Sequence, residues 1–216
     1  RGNFIQANLA EYMRLYFPQN SHRGITSDTL ICDNGGFEDD FLYYRGYTGL
    51  FTKGSNTCTP MNGSDPVTWT PVTMPVSNRF EIMTTGTDPL VGIQKVKFGD
   101  KSLRINNRYG HDYQCSGDFG IDRVTKRFLV TEENRIFTVW FGLVLDGAPA
   151  HDNYQSFFNI KCDKAPKDEF CFDTEFLSQI VHVYNTPCNF PVKVAYLDWA
   201  CHTIRIPADS IGKIAT

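Results

Sequence analysis

The run Phe137-Thr138-Val139-Trp140-Phe141-Gly142-Leu143-Val144-Leu145 limits what this chain can fold into more than any other stretch. Side chains on a β-strand point alternately to its two faces, so Phe137, Val139, Phe141, Leu143 and Leu145 enter a core together. Thr138, Trp140 and Gly142 then share the other face, and the indole of Trp140 lies beside a residue with no side chain. Such an arrangement offers an aromatic platform to a flat ligand. The competing accounts are a strand buried on both faces and a tryptophan covered by a loop.

Composition agrees with β-structure. The 216 residues suit one large β domain, or one domain with an appendage, and 17 Phe and 10 Tyr sit in short apolar runs punctuated by 17 Gly and 11 Pro. Formal net charge is −3 with no basic block, so nucleic acid and anionic membrane surfaces find no electrostatic footprint. No apolar run approaches the ~18 to 20 residues of a membrane-spanning helix, which argues against membrane insertion. Arg1-Gly2-Asn3 does not open a signal peptide, and the chain reads as a mature piece of a secreted protein.

Seven cysteines, Cys32, Cys58, Cys115, Cys162, Cys171, Cys188 and Cys201, occur in loop-rich sequence without a C-x-x-C pair. This usage points to an oxidising compartment, extracellular or at the cell surface, with reduced cytosolic thiols as the alternative. Cys162 and Cys171 flank a hairpin expected over Asp163 to Phe170, and Cys188 and Cys201 close a second short loop. Both are candidate bridges, with connectivity left open by the sequence. The odd count leaves at least one thiol free or paired outside the segment.

Along the chain, Ile5, Leu9, Tyr12, Met13, Tyr16 and Phe17 recur at helical spacing before Pro18, predicting a short amphipathic helix that docks on its own domain or on a neighbour. Residues 1–27 read as this helix and a linker, and 28–216 as one β module. Within the module, strands are expected at Leu30 to Cys32, Phe41 to Phe51, Arg79 to Met83, Ile93 to Phe98, Ser102 to Asn107, Arg127 to Thr131, Ile136 to Leu145, Ser156 to Asp163, Ser178 to Tyr184 and His202 to Ile206. That many short strands predict a sandwich. Ile211 to Thr216 reads as the start of a further strand, with its partner expected beyond Thr216.

Asn34-Gly35-Gly36-Phe37-Glu38, then Trp69, then Gly99-Asp100-Lys101-Ser102-Leu103-Arg104-Ile105 resemble the opening of galactose-binding-like jelly-roll domains, the fold of many carbohydrate-binding modules. Phe137 to Leu145, His151, Ser156-Phe157-Phe158-Asn159-Ile160 and Trp199 to Ile214 are similar to β-sandwich modules of large surface and gliding-associated proteins exported by the type IX system of Bacteroidota. The likeness covers roughly residues 28 to 216. It implies an all-β jelly roll that continues through a further strand and cysteine, and further domains in the same parent chain. It also implies a structural calcium held by Glu38, carbonyls near Lys101, and oxygens of Asp33 or Asn34, because Ca²⁺ takes six to eight oxygen ligands. A solvated acidic turn is the plainer account of Asp33, Glu38, Asp39 and Asp40.

Sugars present apolar C–H faces and polar edges, so their sites pair an aromatic plane with amides, guanidinium or carboxylates. Strand parity sets Arg104 and Asn106 opposite Leu103 and Ile105, Asn159 and Lys161 opposite Phe158 and Ile160, and His182 with Tyr184 opposite Val181 and Val183. Trp140, Arg104, Asn106, His182 and Tyr184 are accordingly the expected ligand contacts, with the Tyr43-Tyr44-Arg45-Gly46-Tyr47 cluster as a second candidate surface. An ordinary hydrated sheet face is the alternative. Catalytic signals are weaker: Asp118, Asp122, Glu132 and Glu133 have no spacing that sets two across a scissile bond, and Glu132-Glu133 reads as a turn. Motifs for a nucleophile elbow, a zinc helix or a phosphate loop do not occur. His151-Asp152 and Cys201-His202 are adjacent pairs, and adjacency on a strand separates side chains. The expectation is a non-catalytic adhesion or carbohydrate-binding module, with a structural or protein-interaction module as the alternative.

Overall fold

The computed structural model describes residues 34–50, 68–106, 120–147, 156–174, 177, 179–183 and 192–216. The expected helix near residues 4–17, the boundary at residue 28 and the expected strand at Leu30 to Cys32 lie outside them. The described residues are all-β, built from antiparallel pairs and two short 3-10 turns.

One long ladder organises the apolar part. β7 (Ile136–Gly147) pairs with β11 (Val192–Arg205) from Gly147↔Lys193 to Ile136↔Arg205, and β10 (Gln179–Val183) adds to the other edge of β11. The expected parity holds. Phe141 and Leu143 are buried, with Phe137, Val139 and Leu145 packed against the same apolar clusters, while Ile136, Thr138, Trp140 and Val144 are exposed.

β11 preserves this two-sidedness through a change of register. Leu197 pairs with Leu143 but Ala200 pairs with Phe141, so Asp198 and Trp199 together stand against Gly142. Residues three apart on a regular strand face opposite sides. The extra residue of this β-bulge returns Ala200 to the face already held by Leu197, and both pack into the core.

The inner face is covered by the hairpin of β8 (Phe157–Ile160) and β9 (Phe170–Asp173), turned through a 3-10 segment at Pro166–Asp168. Phe158 and Phe170 meet Phe141 at ring-centroid distances of 5.0 and 5.4 Å, the offset range in which aromatic pairs attract beyond their buried area. At the other end, β6 (Phe128–Leu129) pairs with β12 (Ile214–Ala215), and Phe128, Val130, Ala165, Ile204, Ile206 and Ala215 close a second cluster. The result is β-sandwich character: antiparallel layers across shared apolar packing. The strand expected to find its partner beyond Thr216 instead pairs within the described residues, Ile214 with Leu129 and Ala215 with Phe128.

The remaining strands join through charge. β1 (Tyr44–Leu50) lies between β2 (Thr70–Val72) and β5 (Gly120–Lys126), and β3 (Phe80–Thr84) forms a hairpin with β4 (Lys101–Ile105). Arg79, at the start of that hairpin, forks onto Asp122 of β5 with bonds of 2.5 and 3.1 Å and also donates to Thr48 of β1. The Asp122 side chain is fully buried, so this bidentate pair is the compensation its charge requires. The strand expected at Ile93 to Phe98 is a loop with one isolated bridge, Thr87↔Gln94. It lies on the outer face of the β7–β11 ladder, where the Trp199 indole N–H donates to the Gln94 carbonyl at 2.6 Å.

Neither expected disulfide forms. Cys162 and Cys201 are free thiols, whereas Cys171 is disulfide-bonded. Cys162 lies past the end of β8 and packs with Phe128 and Ile204, while Cys171 faces the register position of Asn159 on β8. Cys201 stands on the exposed face of β11, opposite Trp140. Burial covers the Cys162 thiol and pushes its pKa up, leaving little reactive thiolate. A thiol reagent applied to the native protein is therefore expected to label Cys201 quickly and Cys162 only on unfolding, as read by peptide mass mapping. Equal labelling of the two under native conditions contradicts this packing.

Candidate functional site

The outer face of β7 and β11 carries the most distinctive side-chain set. Trp140 keeps 38 % of its surface exposed at the register position of Cys201. Phe98 meets its ring edge-on at 5.1 Å and 84°, and the Lys97 ammonium stands 5.6 Å from the indole centroid. Next along the same face, Thr138 and Thr203 share a hydroxyl–hydroxyl hydrogen bond of 3.0 Å. The gap expected beside Trp140 at Gly142 is filled. A Cβ there would lie 3.3 Å from Ile93 and 3.8 Å from Trp199, so the loop and the bulge occupy the space that glycine leaves. Trp140 is thus partly framed by a loop and partly open.

The other expected contacts do not gather around it. Arg104 belongs to the β3–β4 hairpin, a different sheet, where it is ion-paired with Glu81 directly across the ladder. Asn106 continues that pairing by donating its backbone N–H to the Arg79 carbonyl at 2.8 Å, in a left-handed conformation (φ 62°) that asparagine tolerates better than most residues. His182 pairs with Lys193, which pairs with Gly147, and Gly147 lies seven residues beyond Trp140 on β7, about 23 Å at ~3.3 Å per residue. A single site holding both Trp140 and the His182 position is therefore corrected by register. Tyr184 lies outside the described residues.

The segment expected to hold calcium is organised by an internal cation. Asn34 donates to the carbonyls of Asp40 and Leu42 and accepts the Asp39 N–H. Glu38 Oε1 accepts the backbone N–H groups of Asp100 and Lys101 at 3.0 and 3.3 Å, an approach that only Gly99 permits, since a Cβ there would fall 2.2 Å from that oxygen. The Lys101 ammonium sits on the Glu38 carbonyl at 2.9 Å and Asp40 Oδ1 at 2.7 Å. Calcium needs six or more oxygens at 2.3–2.6 Å. Here these oxygens already serve N–H groups and an ammonium, so the arrangement fits a lysine-closed turn rather than calcium. Asp33 lies outside the described residues.

Within the tyrosine cluster, Tyr44 and Tyr47 make ring and cation contacts while Tyr43 stays 46 % exposed. Tyr44 stacks on Phe37 at 4.6 Å with the Lys126 ammonium 4.9 Å from its ring, and its hydroxyl donates to the Asn34 carbonyl. Tyr47 meets the Arg123 guanidinium at 5.0 Å, and Trp69 meets the same guanidinium at 4.0 Å. Among the carboxylates weighed for hydrolysis, Asp122 is buried on Arg79 and Glu132 pairs with Arg135 across the turn. Cys201 faces outward while His202 turns inward, stacked on Phe170 at 4.7 Å with Nε2 2.8 Å from the Asp168 carbonyl. The pair diverges as adjacent strand residues do. Asp118 and His151-Asp152 lie outside the described residues.

Lys97, Phe98 and Trp199 were missed in the sequence because a loop and a bulge bring them to Trp140, and neither leaves a periodic signal. Asp146 was missed as well. It stands on β7 opposite Val194, its Oδ1 is buried without a partner, and burial pushes its carboxyl pKa up. A carboxyl whose pKa is raised by folding favours the folded state while protonated, and that contribution is lost as pH rises from the ordinary carboxylate range through the raised value. Asp146→Asn is therefore expected to raise the thermal midpoint at pH 7, with the gain vanishing at pH values where Asp146 is protonated in both states. An unchanged or lower midpoint at pH 7 contradicts the assignment. Compared with known proteins, this chain matches no family model, no curated protein and no solved structure.

Proposed function

We propose that this chain is a non-catalytic carbohydrate-binding or adhesion module of a larger secreted or cell-surface protein, and that it contacts its ligand through the outer face of the β7–β11 ladder. The observation that carries this reading is Trp140, left 38 % exposed on a sheet whose other face is core. The open part of the indole suits the C–H face of a pyranose, and the Thr138–Thr203 hydroxyls and the Lys97 ammonium are placed to meet ring hydroxyls. The bonded Cys171 agrees with an oxidising compartment. A jelly-roll topology and membership among type IX-exported, gliding-associated modules belong to this proposal through the sequence resemblance alone. Among the described residues, no helix is long and apolar enough to cross a membrane.

A protein-interaction module is the second reading, and a specific observation favours it. Ile136 and Val144 flank Trp140 four residues away on either side of β7, 51 % and 38 % exposed, giving an apolar stripe that a protein partner would bury and a sugar would not. A glycan array followed by titration separates the two. The carbohydrate reading expects saturable binding that falls about tenfold or more in Trp140→Ala and is unchanged in Ile136→Ala. Absence of glycan binding, or glycan binding indifferent to Trp140→Ala, overturns it.

A further inference from the structure

We propose a second binding site, separate from the Trp140 face: a cleft of about 340 Å³ between β1 and the segment that follows β2, which takes the ring and carboxylate of a uronic acid unit. It uses neither Trp140 nor the β7–β11 ladder, and so goes beyond the reading above.

The cleft opens where a strand ends. β2 pairs with β1 as far as Val72↔Gly46, and the chain then leaves the ladder at Thr73 and Met74, while Arg45 and Tyr44 of β1 stay paired with β5. Phe41, Arg45, Tyr47, Pro71, Thr73 and Met74 line the space between. Gly46 is buried at its base: a Cβ there would lie 2.9 Å from Met74 Cγ and 3.1 Å from Val72 Cγ2, so the Met74 side chain rests on the β1 backbone. Phe41, Tyr47 and Met74 are half-buried, whereas Arg45, Pro71 and Thr73 are exposed and form the rim. A volume at the low end of the range for small-molecule sites, about 300–1,000 Å³, suits a single ring.

Charge selects the ligand. Arg45 is the one charged residue lining the cleft, and among the described residues its guanidinium has no hydrogen-bond or ion-pair partner. Asp40, the carboxylate nearest to the lining in sequence, is taken by Lys101. Arg45 and Tyr47 share one face of β1, and Arg123, opposite Tyr47 on β5, holds its guanidinium 5.0 Å from that ring. Two positive charges and no carboxylate therefore stand on this side of β1 and β5, at Arg45, Tyr47, Arg123 and Thr125. A guanidinium fork meets a carboxylate through two parallel N–H bonds, and apolar walls beside it suit the C–H face of a pyranose. A uronic acid carries both on one ring, and the Thr73 hydroxyl at the rim adds a partner for its hydroxyls. A neutral sugar leaves the fork unmatched. An extended acidic peptide is disfavoured, because Pro71 in the middle of β2 has no N–H to give an added strand.

The test is an NMR titration of the whole chain, labelled at its methionine methyls, with methyl β-glucuronoside, methyl β-glucoside and benzoate, following the Met74 methyl. The expected result is a saturable Met74 shift with the glucuronoside, at an affinity about tenfold or more above that for the glucoside or benzoate. Arg45→Gln, at an exposed position, is expected to weaken glucuronoside binding about tenfold or more, and Trp140→Ala to leave it unchanged. No saturable Met74 shift with the glucuronoside overturns the site, as does equal affinity for the glucoside or undiminished binding in Arg45→Gln. Tighter binding of benzoate overturns the assignment to a sugar acid. The wild-type signal and the comparison of ligands carry the test even if a variant fails to fold. Trp140-dependent glycan binding with a silent Met74 methyl refutes this site while leaving the outer-face reading standing.

Discussion

The structure depends on one constraint: twelve consecutive residues of β7 must hold apolar side chains on one face only while paired with β11 along their whole length. A shift of register by one residue would exchange the faces, turning Phe141 and Leu143 to solvent and Trp140 into the core. The bulge at Asp198-Trp199 meets that constraint on the partner strand. It adds the residue that keeps Leu197 and Ala200 on the inner side, and it sends Trp199 to the outer face, where its indole ties down the Gln94 loop. The same local irregularity therefore completes the core and shapes the surface around Trp140.

The two halves of the described fold are held by different physics. Around β7, β11 and the β8–β9 hairpin, stabilisation comes from interleaved Phe, Leu and Ile side chains, each fully buried large side chain worth about 1.5–3 kcal/mol of transfer free energy. Between the β3–β4 hairpin and the β1–β5 sheet, the Arg79–Asp122 fork joins the layers, with Arg104–Glu81 beside it on the hairpin. Ion pairs of this kind fix geometry more than they add stability, because desolvation consumes most of the Coulomb gain.

Strand existence and parity were legible wherever hydrophobic alternation was regular. Phe137 to Leu145 showed its two faces plainly, and the turn at Glu132-Glu133 was readable from its charges. β11 was recognised only from His202 onward because the bulge interrupts its alternation, and β5 was missed because Gly120-Ile121-Asp122-Arg123-Val124-Thr125-Lys126 reads as a polar loop until Asp122 is seen to be buried on Arg79. The site was less legible than the fold. Arg104, Asn106, His182 and Trp140 each sit on strands or strand ends as expected, but which strands share a sheet, and at what register, is set by pairings far apart in the chain. The cysteine pairing failed for the same reason: Cys162 and Cys171 are close in sequence, yet the end of β8 directs one into the core while the other sits within β9.

The central claim, that β7 divides the molecule into a packed face and an open one, is tested most directly by placing a cysteine at each position from 137 to 144 in turn in a Cys201→Ser background, reading by peptide mass mapping the rate at which each introduced thiol is modified in the native state. The account predicts a period of two, with positions 138, 140 and 144 modified quickly and 137, 139, 141 and 143 slowly, while 142 is retarded by Ile93 and Trp199. Rates without alternation, or alternation in the opposite phase, would contradict it.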